Sequence, residues 1–202
     1  MQSLSHPTAS SVRKSLENRA VPLTRYALFG CLAAGGCAAD LISKTLVFQW
    51  RGMPREDNVY WLWEGYVGIE TALNNGALFG LGQGGSQYFA ALSVVAAIGI
   101  CVWLFRFGAA HDRFLTIALG CVMGGVLGNL YDRLGLWSPP AGAAQEHYTG
   151  VRDWILWRYG KWTWPNFNIA DCLLVCGAFC LVCQALMVKD VGDGDSNESS
   201  KV

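Results

Sequence analysis

Four apolar stretches alternate with polar segments along the chain, at residues 26–48, 88–107, 114–134 and 167–188. Each is long enough for a helix across a bilayer core, which takes about 20 residues. The pattern predicts an integral membrane protein of four transmembrane helices. The first and second stretches are joined by a long polar connection, residues 49–87, and the third and fourth by another, residues 135–166. The second and third are joined by a short one. A polar N-terminal extension, residues 1–25, precedes a membrane domain over 26–188. The acidic Ser/Gly-rich tail over 189–202 reads as disordered.

Basic residues orient the bundle. Arg13, Lys14, Arg19 and Arg25 lie before the first span, and Arg106 and Arg113 flank the short link. This places both termini and the link in the cytoplasm and the two long connections outside. The bias is modest, because Arg51, Arg55, Arg152, Arg158 and Lys161 lie in the outer connections. Eight tryptophans fall in those connections, and only Trp103 lies elsewhere. Indole favours the headgroup level, so the outer connections are expected to lie on the membrane surface. The first span resembles a signal peptide in length, and Ala34-Gly35-Gly36-Cys37 resembles a lipoprotein cleavage site. Three further spans follow it, however, and no secreted polar domain does.

Composition agrees with a membrane protein. Hydrophobic residues make up 52% and charged residues only 15%, against about a quarter charged in an ordinary soluble domain. The net charge is zero, so nothing points to a nucleic-acid partner. All eight cysteines lie inside apolar runs, which excludes a secreted disulfide framework. Cys172, Cys176, Cys180 and Cys183 recur at helical spacing without a His, and read as soft packing residues rather than a metal site.

Ionisable groups inside spans are expensive and therefore informative. Asp40 and Lys44 share one helix face in the first span and suit a self-neutralising pair. Ser43 beside Lys44 does not make a Ser–Lys dyad, because adjacent helical residues point about 100° apart. In the third span Gly120, Gly124 and Gly128 form a ridge that lets another helix approach closely. Gly125, Asn129 and Asp132 lie on the neighbouring face. The fourth span opens with Pro165, and Asn166 or Asn168 is the candidate cap. Asp171 then sits at the outer rim with no basic residue within a helical turn. Asp153 precedes the apolar Trp154-Ile155-Leu156-Trp157 at the same depth. Two acids from different segments at one depth are candidates for sharing a proton. Such a pair activates water while the protonated partner polarises a carbonyl.

These motifs resemble those of the lipoprotein signal peptidases (signal peptidase II), from about Asp40 to Gly177. Asp40-Leu41-Ile42-Ser43-Lys44 resembles the family's D-x-x-[ST]-K, and Asn74-Asn75-Gly76-Ala77-Leu78-Phe79 its N-x-G-A-x-F. Gly124-Gly125-Val126-Leu127-Gly128-Asn129-Leu130-Tyr131-Asp132-Arg133 resembles G-G-x-x-G-N-x-x-D-R. Gly150-Val151-Arg152-Asp153-Trp154 resembles G-x-V-x-D-[FM] with one residue fewer between its Gly and Val, and Phe167-Asn168-Ile169-Ala170-Asp171 resembles F-N-x-A-D. Each motif alone is weak; five in order across four spans are specific.

The resemblance implies an aspartic endopeptidase in the bacterial cytoplasmic (inner) membrane, with its active site at the periplasmic face. Asp153 and Asp171 fall on the catalytic aspartates. Asn74, Gly76, Asn129, Asp132, Arg133 and Asn168 correspond to supporting positions, and Asp40 and Lys44 to a structural pair. The implied substrates are prolipoproteins carrying diacylglycerol on a Cys, cut just before that Cys, with membrane phospholipid around them. The resemblance implies no metal or organic cofactor, and globomycin-type cyclic peptides are the implied inhibitors. The resemblance also implies an all-α membrane bundle with a small β-rich periplasmic cradle between helices one and two, which suits the alternating run from Tyr66 to Leu73.

Three departures stand out. Residues 134–148 intervene between Arg133 and Asp153, where the family's spacing is shorter, which makes Asp132 the competitor of Asp153. Arg152 stands where an apolar residue is usual, either to pair with Asp153 or to point into headgroups. The N-terminal extension has no counterpart role.

Other function classes fit less well. A transporter would need acids through the depth of the bundle, whereas Asp40, Asp132, Asp153 and Asp171 all project to the outer rim. A non-catalytic scaffold would have no need of an acid such as Asp171 at that depth. There is no H-E-x-x-H or G-x-S-x-G. Gly192-Asp193-Gly194-Asp195 resembles a presenilin motif but lies in the polar tail.

Overall fold

The computed structural model describes residues 20–56, 58–76, 85–144 and 148–198, with side chains through Met187. The N-terminal extension before residue 20 and the Ala77-Leu78-Phe79 part of one motif lie outside them. Helix α1 is Leu23–Arg51, α2 is Ser86–Cys101, α3 is Arg113–Arg133 and α4 is Ile169–Glu198. A π-helical turn, Val102–Arg106, extends α2. The helical backbone of α4 continues into the tail that composition reads as disordered, and its apolar part is Ile169–Met187. Four helices are thus long and apolar enough to cross a membrane, each within a few residues of its predicted range.

Helix α3 is the centre of the bundle. Of its apolar window 61% is buried, against 11–17% for the other three, so these face outward. The glycine ridge explains how α3 is enclosed. A Cβ on Gly120 would lie 3.0 Å from Leu32 Cβ, and one on Gly124 would lie 3.1 Å from Gly36 Cα. A Cβ on Gly128 would collide with the Asp40 carboxylate. All three therefore seat α1, as the small-residue spacing predicts. Gly125 faces the other way, where a Cβ would lie 2.5 Å from the Ala170 carbonyl oxygen at the start of α4. At the end of the bundle away from the sheet, Phe29, Ala33, Leu104, Leu119 and Met123 form an apolar core.

The fold is not all-α. Strands β1 (Tyr60–Trp63), β2 (Val67–Asn74), β3 (Val151–Tyr159) and β4 (Trp162–Phe167) form one antiparallel sheet in the order β1-β2-β3-β4. The sheet also does not belong to the connection between helices one and two alone. Each outer connection supplies one hairpin, and β2 pairs with β3 to join them, with Ala72 opposite Asp153. Both hairpin turns use a glycine at positive φ, Gly65 (76°) and Gly160 (59°). The apolar run after Asp153 is therefore strand, rich in aromatic and β-branched residues and bounded by a Gly-containing turn.

The cysteines are not uniformly packed between helices. Cys31, Cys101, Cys172 and Cys176 are exposed on the bundle surface.

Candidate active site

The start of α4 carries the first acid. Asn168 caps the helix: its Oδ1 accepts the Asp171 N–H at 3.0 Å, and its own N–H donates to Asp171 Oδ2 at 3.1 Å. This reciprocal capping box fixes both side chains. The next free amide of the helix, Ala170 N–H, donates to Asp40 Oδ1 of α1 at 2.9 Å. Asn166, the other candidate cap, instead bonds Glu70 of β2.

Two amides then link the acids. Asn168 Nδ2 donates to Asp153 Oδ1 at 2.6 Å and to Asn129 Oδ1 at 3.1 Å. Asn129 Nδ2 donates to Asp171 Oδ1 at 2.9 Å. The orientation of each amide follows from its neighbours. Lys44 Nζ, which only donates, sits 2.9 Å from Asn129 Oδ1, so the Asn129 amide nitrogen must face Asp171. Likewise the Asp171 N–H holds Asn168 Oδ1, so the Asn168 amide nitrogen faces Asp153. Asn74 adds a further side-chain hydrogen bond to Asp153, while its Oδ1 accepts from Gly76 N–H at 3.0 Å.

Beneath this layer lies a buried set of alternating charges. Lys44 Nζ is 2.6 Å from Asp40 Oδ2 and 3.1 Å from Asp132 Oδ2, and all three residues are fully buried. Arg152 completes the set on Asp132, with Nη2 at 2.8 Å and Nε at 3.0 Å from Oδ1. Arg152 thus neither pairs with Asp153 nor points outward, as the sequence alternatives had it. The Arg–Asp132 pair was not foreseen, because two partners twenty residues apart in sequence meet only when β3 docks on the end of α3. The available signal was an arginine in an apolar strand, which must find a buried acid. Ser43 donates to the Asp40 carbonyl and does not meet the Lys44 ammonium.

Asp153, Asp171, Asn74, Asn129 and Arg133 line one cleft of about 920 Å³. Asp132 does not line it. Its walls are Trp157, Trp164 and Phe167 of the sheet and Leu174, Val175 and Cys176 of α4. The cleft therefore opens between the sheet and an outward apolar face of α4, where Val175 and Phe179 are exposed. Arg133 is steered in by its hydrogen bond to the Gly76 carbonyl and by the Phe89 ring 5.6 Å away. Burial, and then the negative charge of Asp171, push the Asp153 carboxyl up from the usual 3.8 to about 7; hydrogen bonds from Asn168 and Asn74 and the Lys44 charge oppose this. Among the described residues, no group of three His, Cys, Asp or Glu side chains is placed to hold a metal ion.

The profile of the family described as Signal peptidase (SPase) II matches residues 32–187. This chain belongs to the signal peptidase II family. A lipoprotein signal peptidase of Rhodopirellula baltica is 53% identical over 195 residues, covering 95% of this chain and 84% of that one. Another, from Symbiobacterium thermophilum, is 30% identical over 162 residues, covering 80% and 95%. Among solved structures, a bacterial membrane enzyme determined by the in meso method at 2.3 Å superposes with a TM-score of 0.65. It is 21% identical, with 87% of this chain and 93% of that chain covered, and supports the fold. As a signal peptidase II, the chain is a membrane hydrolase of lipoprotein processing.

Proposed function

We propose that this protein is an aspartic endopeptidase that removes the signal peptide from diacylglyceryl-modified prolipoproteins, cutting just before the lipidated Cys, with Asp153 and Asp171 as the catalytic pair. The observation that carries this reading is the pairing of those acids on one cleft, one of them with its carboxyl raised to about 7. In a singly protonated pair the proton sits on Asp153. Asp171 takes a proton from water, whose oxygen adds to the scissile carbonyl carbon, while Asp153 gives its proton to the carbonyl oxygen. In the collapse Asp153 recovers a hydroxyl proton, the C–N bond breaks, and Asp171 delivers its proton to the departing nitrogen. The pair ends as it began.

The walls of the cleft support the substrate class. An apolar signal helix would lie along the exposed face of α4, and the two acyl chains would stay in lipid beside Trp157 and Trp164. Membrane phospholipid is the natural filler of that opening, and globomycin-type cyclic peptides would compete for it. The orientation that fits has both termini in the cytoplasm and the sheet and cleft at the outer face of the bacterial inner membrane.

The test is cleavage of one precursor with and without the diacylglyceryl group by the purified protein. The expected result is cleavage of the lipidated form only, with a product beginning at the modified Cys, read by mass spectrometry. Equal cleavage of both forms, or of neither, would sink the reading. The same assay fixes the pH dependence. Asp153 must hold its proton to act as the acid, and it loses that proton as pH rises through about 7. The rate is therefore expected to be level on the acid side of neutrality and to fall about tenfold per pH unit above it. A rate that climbs through neutrality would assign the proton wrongly.

A further inference from the structure

Arg152 is adjacent to Asp153 on β3, and strand alternation sends the two side chains to opposite faces. Asp153 faces the cleft. Arg152 runs into the bundle, 2% exposed. Its guanidinium grips Asp132 of α3, its backbone N–H donates to Asp132 Oδ2 at 3.0 Å, and its Nη1 reaches Thr45 Oγ1 of α1 at 3.3 Å. One side chain thus ties the strand that carries Asp153 to two helices.

The remaining face of the guanidinium is covered by Trp137, whose ring centre is 4.8 Å from the Arg152 Cζ. Trp137 belongs to the 134–148 stretch that lengthens the path from Arg133 to Asp153. It stacks on Tyr148 at 5.5 Å and meets Phe48 of α1 edge-on at 5.8 Å. The Tyr131 hydroxyl donates to the Leu136 carbonyl at 2.8 Å and pins the first turn of the stretch. Its two ends therefore close as an aromatic cover over a charge that is tolerated at this depth only when paired and shielded.

We infer that Arg152 is a positioning residue for Asp153, and that Trp137, with Tyr148 stacked on it, serves the reaction by holding Arg152 on Asp132. The inference rests on the proposed role of Asp153. Misplacement of a reacting group by about 1 Å costs about 100-fold in rate.

The experiment compares Arg152→Met, Arg152→Lys, Trp137→Leu and the Arg152→Met/Trp137→Leu double variant of the full chain in detergent. Two quantities are read: kinetics on the lipidated precursor per folded enzyme, and amide hydrogen exchange of Val151–Tyr159. Arg152→Met is expected to lower kcat about 100-fold with KM changed less than about threefold, and to speed exchange at β3. Arg152→Lys, which keeps the charge but not the fork, recovers part of kcat. Trp137→Leu lowers kcat about tenfold, and the double variant falls no further than Arg152→Met alone. Wild-type kcat in folded Arg152→Met, a loss confined to KM, or losses that multiply in the double variant would overturn the inference. If Arg152→Met does not fold, Trp137→Leu decides, and wild-type kcat there overturns it. If the wild-type protein does not cut the precursor, the peptidase reading fails, and exchange at β3 alone decides whether Arg152 and Trp137 hold the strand.

Discussion

Replacing either Asp153 or Asp171 by Asn is expected to lower cleavage of a lipidated precursor by about a thousandfold, roughly 4 kcal/mol in the barrier, while the folded protein persists. Asn is close to isosteric with Asp and keeps a carbonyl oxygen. At 171 it keeps one acceptor oxygen, and so one of the two hydrogen bonds that Asn129 Nδ2 and the Asn168 N–H donate to separate oxygens of Asp171. At 153 it can still accept from Asn168. What each variant loses is the exchangeable proton or the charge, and the proposed reaction needs one of each. The two losses are expected to be grossly non-additive, because the pair acts as a unit. Asp132→Asn is the comparison that decides between the competing assignments. Asp132 is fully buried, bonded to Lys44 and Arg152, and off the cleft. Its variant should keep measurable cleavage, lowered no further than Arg152→Met lowers it because Arg152 loses its anchor, and should lose stability as well. Full activity in Asp153→Asn with none in Asp132→Asn would redraw the dyad.

The second large effect belongs to Lys44. In Lys44→Met the Asp40 and Asp132 carboxylates lose their shared ammonium while remaining fully buried. Removing one partner of a buried ion pair costs about 3–5 kcal/mol, because the remaining charge is left uncompensated. For a chain of this size that corresponds to a drop in Tm of about 10 °C, measurable by thermal unfolding in detergent. Activity should fall as well, since Lys44 holds Asn129 Oδ1 and so turns the Asn129 amide toward Asp171. Adding Asp40→Asn to Lys44→Met removes one stranded charge and is expected to restore part of the Tm. It also keeps a carbonyl oxygen for the Ala170 N–H. A Lys44→Met protein as stable as wild type would mean that the quartet of charges is replaceable packing.

The four spans, the glycine ridge on α3 and the placing of the acids near one end were legible because they depend on local periodicity. An apolar run of about 20 residues needs a bilayer whatever it touches. A glycine every fourth residue makes a groove whatever fills it, and here α1 fills it. The cap of α4 was legible in the same way, as a choice between Asn166 and Asn168, since the capping box joins residues only three apart in sequence. The five ordered motifs likewise marked the family. What tertiary structure decided involves partners far apart in sequence. Only the β1-β2 half of the sheet was placed, because β2 and β3 come from different connections, and single-strand patterning does not say which strands will pair. The partner of Arg152 was missed because Asp132 lies on another element. The separation of Asp132 from Asp153, one facing into the bundle and the other lining the cleft, follows from the docking of β3 on α3. The raised carboxyl of Asp153 follows from its burial beside Asp171. Composition and spacing set which groups this protein must shelter from lipid; only the packing of two hairpins against the end of α3 decided which acids are neutralised and which face the cleft, because that depends on the distance and dielectric between residues the chain brings together last.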